Sequence, residues 1–200
     1  MTGEELLALL LYGAAVSFTP GPNTTLSAAL GANGGLARAL PFAFAVPVGW
    51  SLMFLLCTLG LGVIVSRPEI RTFLLLAAGG YMLWLAWVIG RRRTLGQADG
   101  RRLDVGFFQG VALQFVNGKA WLNAVTVSAT WVAVGPDIWA RLRWVLPILL
   151  AYAFLSNFTY AVVGSVLRQW LSVGERLLWF NRALALLLVG TAAWVLGQAL

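Results

Sequence analysis

The sequence contains no histidine and a single cysteine, Cys57. Without histidine the commonest general base and metal ligand is missing. One cysteine can neither close an internal disulfide nor supply paired thiolates to a metal. Charge is almost as scarce: 10% of the 200 residues are charged, against roughly 25% in soluble domains. The acids Glu4, Glu5, Glu69, Asp99, Asp104, Asp137 and Glu175 all lie at the ends of apolar stretches or between them. No carboxylate pair is therefore placed inside an apolar run for acid–base work, and no oxygen-rich cluster for a hard cation. GxSxG, HExxH and P-loop patterns are absent as well. No enzyme, metal site or cofactor is expected.

What the chain does have is apolar length. About 60% of its residues are hydrophobic, and charge-free stretches run from Glu5 to Arg38, Arg38 to Arg67, Arg71 to Arg91, Arg143 to Arg168 and onward from Arg182. Each is long enough to cross a hydrocarbon core, which takes about 20 helical residues. Apolar runs between charges and Gly/Pro breaks give six segments, at about 6–30, 35–65, 72–90, 105–134, 143–167 and 177–199. The first is expected to be a retained span rather than a cleaved signal, because Glu4 and Glu5 precede it and no Lys or Arg does. A net charge of +7 would suit nucleic acid, but the arginines sit at segment ends, as topology-setting loop charges do. The partners expected are lipid and a small molecule, with no nucleic acid.

The one clearly aqueous stretch, "RRRTLGQADGRR", divides the chain into halves of about 1–90 and 105–200, joined by a cytoplasmic loop at 91–104. With that loop inside, the inner side carries Arg38, five loop arginines, Arg168 and Arg176, against Arg67, Arg71, Arg141 and Arg143 outside. Tryptophans 84, 87, 139, 144, 170 and 179 fall near segment ends, where headgroup anchors belong. Three spans per half is an odd number, so related halves must insert in opposite senses. The expected fold is a single all-α integral membrane domain over 1–200, with six transmembrane helices as two inverted three-helix repeats.

Two breaks carry the functional signal. Segment one is interrupted by Pro20, Gly21, Pro22 and Asn23, and segment four by Asn117, Gly118 and Lys119, each roughly mid-depth. Proline cannot donate a backbone hydrogen bond and disfavours helix before it. The carbonyls released cost several kcal/mol in lipid, so such a break is tolerated only inside protein or beside a wet cavity. Asn23 is placed to cap the second half-helix or to offer an amide to a ligand, and a half-helix starting at mid-membrane presents N–H groups to an anion. Lys119 is the only charge between Val105 and Gly135, and a mid-span lysine without an acidic partner invites an anionic substrate. In segment five Asn157, Tyr160 and Gly164 share a helix face; Asn157 and Tyr160 are expected to line the cavity, Ser156 and Thr159 to bond between helices. Gly60, Gly62, Gly79 and Gly80 read as close helix packing.

These residues resemble the LysE/RhtB family of bacterial amino-acid exporters. The resemblance rests on Pro-Gly-Pro-Asn at Pro20 to Asn23 followed by "GANGGLARAL", on "LAAGGYMLWLAWVIGRRR", on "FFQGVALQFVNGKAWLNAV" and on "WFNRALALLLVGTAAWVLG", in order along nearly the whole chain. It implies efflux of amino acids or close relatives across the inner membrane, driven by the proton motive force, by a homodimer. Asn117 and Lys119 take the outer positions of the family's Asn-Pro-Lys motif. Gly118 stands where that motif has proline, and Gly49-Trp50 where many members have Gly-Asp, which leaves the coupling site and the substrate open. Two other readings share the composition: a non-transporting scaffold subunit whose breaks serve packing, and an exporter of a non-amino-acid solute or cation.

Overall fold

The computed structural model describes residues 1–61, 64, 67–91, 105–134 and 137–197. The predicted loop at 91–104 lies outside them beyond Arg91, as does Gly62. Among the described residues every regular element is helical: α1 (Gly3–Phe18), α2 (Pro22–Gly34), α3 (Leu36–Leu56), α4 (Pro68–Gly90), α5 (Phe107–Phe115), α6 (Gly118–Val127), α7 (Ile138–Leu171) and α8 (Arg176–Gly197). Single π turns extend α3 over Cys57–Leu61 and α6 over Ser128–Val132.

Helix boundaries follow local chemistry. At the start of α1 the Thr2 hydroxyl accepts from the Glu5 N–H at 3.1 Å while Glu5 Oε2 accepts from the Thr2 N–H at 2.9 Å, a reciprocal capping box. Asp137 accepts from the Ala140 N–H at 2.9 Å to open α7. The turn from α2 into α3 passes through Gly35 at φ +82°, a left-handed conformation that favours glycine.

Among the described residues four helices are long and apolar enough to cross a membrane: Leu36–Gly60, Pro68–Gly90, Ile138–Leu171 and Arg176–Gly197. They correspond to predicted segments two, three, five and six, with α7 reaching well beyond 143–167. Segments one and four are each assembled from two shorter helices instead. At 1.5 Å per residue, the 16 residues of α1 and 13 of α2 give about 24 Å and about 20 Å, neither enough alone for a core of about 30 Å.

The centre of the bundle is α2, in which Pro22 and every residue from Thr24 to Asn33 are buried. It packs most extensively against α7, α4 packs against α8, and α3 against α5 and α7. The α2–α7 crossing is set by two glycines. A Cβ on Gly31 would collide with the Ala161 carbonyl oxygen, and one on Gly164 with that of Ala28. Gly79 likewise admits Leu196 of α8 against α4. A Cβ on Gly80 would meet only open space, and Gly60 adopts φ +118° with nothing near it, so neither serves the packing expected of it.

Two clusters tie the helix ends. At one, Arg141 bridges Glu5 at 3.3 Å, Arg141 Nη1 donates to the Trp131 carbonyl at 3.2 Å, and Trp131 Nε1 donates to the Glu5 carbonyl at 3.2 Å. At the other, the Leu36 N–H donates to Ser165 Oγ at 3.1 Å and Ala32, Leu171 and Leu177 form an apolar cluster. The six tryptophans named above are all exposed, and Arg91 and Arg176 lie over Trp87 and Trp170 at 4.7 and 4.8 Å from the ring centroids.

Candidate functional site

At the first break α1 stops at Phe18, and the chain runs extended through Thr19 to Gly21 before α2 begins. Pro20 and Pro22 leave the carbonyls of this turn without helical donors. Side chains from the other half of the sequence supply them: Tyr160 Oη donates to the Phe18 carbonyl at 3.0 Å and Lys119 Nζ to the Thr19 carbonyl at 2.8 Å. Gly21 makes room for the lysine, because a Cβ there would lie 3.2 Å from Lys119 Cδ and 3.3 Å from Nζ. The cap of α2 is built from Gly21 and Thr24, with the Gly21 N–H donating to Thr24 Oγ1 at 3.0 Å.

That arrangement corrects the capping role expected of Asn23. The chain enters α2 at Gly21, which puts Asn23 in the first turn with its side chain pointing away from the cap. Its amide makes a reciprocal pair with Gln114 of α5, at 2.8 Å for Asn23 Nδ2 to Gln114 Oε1 and 3.3 Å for the return bond. Gln114 is fully buried and also donates to the Gly110 carbonyl at 3.0 Å. Gln114 is legible in principle, as an amide in an apolar run, by the same reasoning that singles out Asn157.

At the second break Asn117 caps α6, accepting from the Ala120 N–H at 3.4 Å, and Trp121 Nε1 donates to the freed Phe115 carbonyl at 2.8 Å. A Cβ on Gly118 would meet Ala78 Cβ at 2.8 Å, so the residue found in place of proline is what lets α6 close on α4. On α7, Asn157 is buried, accepting from Ser27 Oγ at 2.9 Å and donating to the Ala153 carbonyl at 2.8 Å. Ser156 and Thr159 turn back to carbonyls of their own helix, Ala153 and Leu155, instead of bonding between helices.

A cavity of about 70 Å³ lies between the two breaks and α7. Of the expected residues, Gly21, Pro22, Asn23, Asn117, Lys119 and Asn157 line it; Pro20, Gly118 and Tyr160 do not. Ser17, Thr24, Trp50 and Asn123 join them. Lys119 is the one charged side chain of the lining. No group of three or more His, Cys, Asp or Glu is placed to hold a metal among the described residues.

The order of the motifs along the chain agrees with comparison to known proteins. Residues 14–198 match the model of the LysE type translocator family. The chain belongs to the LysE family. It is similar to the cysteine/O-acetylserine efflux protein of Klebsiella pneumoniae, 32% identical over 191 residues that cover 92% of this chain and 94% of the relative. The proteins of that name from Salmonella typhimurium and Escherichia coli strain K12 are each 31% identical, over 94% of this chain and 96% of their own length. No solved structure matches. As a LysE type translocator with several helices able to span a bilayer, the chain is a multi-pass membrane protein and a transporter rather than an enzyme.

Gly49 and Trp50 both lie at close contacts of α3. A Cβ on Gly49 would lie 2.7 Å from both Gln114 Cγ and the Val111 carbonyl oxygen, so glycine lets α5 reach α3. Trp50 is buried in the cavity wall and stacks on Phe54, with centroids 4.9 Å apart and planes 11° from parallel.

Proposed function

We propose that this chain exports amino acids or closely related small zwitterions across the bacterial cytoplasmic membrane, from a site in the cavity between the two breaks. The observation that carries the reading is the placement of Lys119. The only charged group of the lining has a backbone carbonyl, not a carboxylate, as its partner. A half-buried cation with no counter-ion is costly in a membrane, and a substrate carboxylate supplies what the protein withholds. The relatives named as cysteine/O-acetylserine efflux proteins point to small substrates. A cavity of about 70 Å³ agrees, since one water needs roughly 10–15 Å³ in this measure and the space suits about five.

In this reading Pro20, Gly21, Pro22 and Asn23, with Asn117, Gly118 and Lys119, form the translocation site. Asn157 and Tyr160 hold its wall in place. The single domain crosses the membrane six times as two inverted halves, about 1–90 and 105–200, and works as a homodimer on the proton motive force. What supports the repeat is the packing. Exchanging segments one with four, two with five and three with six maps the packing of α1 and α2 on α7 onto that of α5 and α6 on α3, and the α4–α8 contact onto itself. The two end clusters also fall where alternating crossings require.

Counterflow of labelled amino acids in proteoliposomes tests the proposal. The wild type is expected to accumulate label against unlabelled substrate, and Lys119→Ala to lose this while inserting normally. Full counterflow in the variant would remove the lysine from the site, and no counterflow in the wild type would favour a scaffold role.

A further inference from the structure

Buried polar side-chain atoms without any hydrogen-bond partner are few among the described residues: Asn33 Oδ1, Trp50 Nε1, Thr58 Oγ1 and Asn123 Oδ1. Two of these four, one donor and one acceptor, belong to side chains lining the 70 Å³ cavity. Trp50 is only 5% exposed, so its indole N–H has no recourse to bulk water. An orphaned buried donor costs the full desolvation of the group, and natural sites rarely keep one without a use. Phenylalanine would stack on Phe54 as well as tryptophan does, at 4.9 Å, without bringing a donor to satisfy.

We infer that Trp50 is a specificity-determining residue of this cavity, its indole N–H binding a hydrogen-bond acceptor on the side chain of the transported zwitterion while the Asn123 carbonyl takes the ammonium group. The inference rests on the proposed export function and deepens it. A zwitterion has one anionic and one cationic group, and the lining answers them unequally. Lys119 is a cationic donor for the carboxylate, but no acid faces the ammonium, which leaves a neutral acceptor to hold it. Asn123 Oδ1 is the unpaired acceptor in place. With both charged ends assigned, the Trp50 donor is left over, and only the substrate's own side chain remains to meet it. The indole also fills the wall, so the class selected is short side chains ending in or carrying an oxygen or comparable acceptor. Apolar chains of the same length are disfavoured because they leave the N–H orphaned.

The test uses the full chain reconstituted in proteoliposomes, with counterflow of one labelled amino acid and two unlabelled competitors of matched length. O-acetylserine carries an ester acceptor and norleucine carries none. In the wild type O-acetylserine is expected to compete about tenfold more strongly, or about 1.4 kcal/mol, which is the scale of one net hydrogen bond. Trp50→Phe is expected to bring the two within about twofold of each other. Where that variant fails to insert, Trp50→Met removes the same donor. A wild type that transports amino acids with no such preference overturns the inference and leaves the export function standing, as does a preference that survives loss of the indole N–H. A wild type that transports no amino acid overturns the function itself, and this assignment with it.

Discussion

At the scale of single residues, the site is a set of borrowed donors. The hydroxyl of Tyr160 stands in for the N–H that Pro22 cannot give the Phe18 carbonyl, and the ammonium of Lys119 meets the Thr19 carbonyl, which the extended turn leaves without a helical donor. Tyr160→Phe therefore removes a partner from a carbonyl without altering shape, and a loss of about 1 kcal/mol of stability is expected, read as a lower unfolding temperature in detergent. Lys119 stands out in the sequence because a charge in an apolar run is conspicuous. The Trp50 N–H does not, because an indole in such a run carries no signal until its partner, or lack of one, is known. Asn23 draws notice by its position after Pro22, yet its role as the partner of Gln114 depends on a residue 91 positions away. Glu5 gives a pH prediction outside the spans. The Thr2 N–H, and after it the Arg141 guanidinium, hold its carboxyl below the usual carboxylate range. A group with a depressed folded pKa contributes fully above its unfolded value, about 4.3, and loses the contribution as pH falls through the folded one. Thermal stability is expected to decline below about pH 5, with a shallower decline in Glu5→Gln.

At the scale of elements, the decisive contact is the glycine-to-glycine crossing of α2 on α7. Each glycine faces a backbone carbonyl of the other helix, which cannot swing aside as a side-chain tip can. Gly31→Val or Gly164→Val is expected to force the helices apart, costing at least about 1–3 kcal/mol as overpacking does, and size-exclusion profiles after detergent extraction would show lost folded protein. Gly80→Ala, with open space around it, serves as the silent control. Helical type and approximate limits of α3, α4, α7 and α8 are readable from sequence because charge-free apolar runs of span length admit little else. The division of segments one and four into paired helices is signalled by Pro-Gly-Pro and Asn-Gly. The sequence is mute on which glycines pack and which merely turn, since that depends on what another helix places opposite.

At the scale of the whole molecule, the two end clusters define two faces. Glu5, Trp131 and Arg141 gather at one, and Leu36, Ser165, Leu171 and Leu177 at the other. In a background with Cys57 replaced by serine, a cysteine at Glu4 is expected to react with an impermeant thiol reagent from outside intact cells. A cysteine at Gly35 is expected to react only after the membrane is opened; equal reactivity of both from outside would refute six alternating crossings. The sense expected for that alternation rests on arginine placement, eight on the inner side against four outside. Which segments touch one another is not readable, because every segment offers lipid and protein much the same apolar surface.

The bond from Lys119 to the Thr19 carbonyl has one more consequence. In the proposed transport cycle the empty site does not leave Lys119 without a hydrogen-bond partner, because the Thr19 carbonyl holds its ammonium until a substrate carboxylate takes over. Under that proposal the return of the empty site needs no passenger. Release of labelled substrate from loaded vesicles is then expected to proceed into a medium free of amino acids; release that occurs only against external amino acid would mark an obligate exchanger and overturn this.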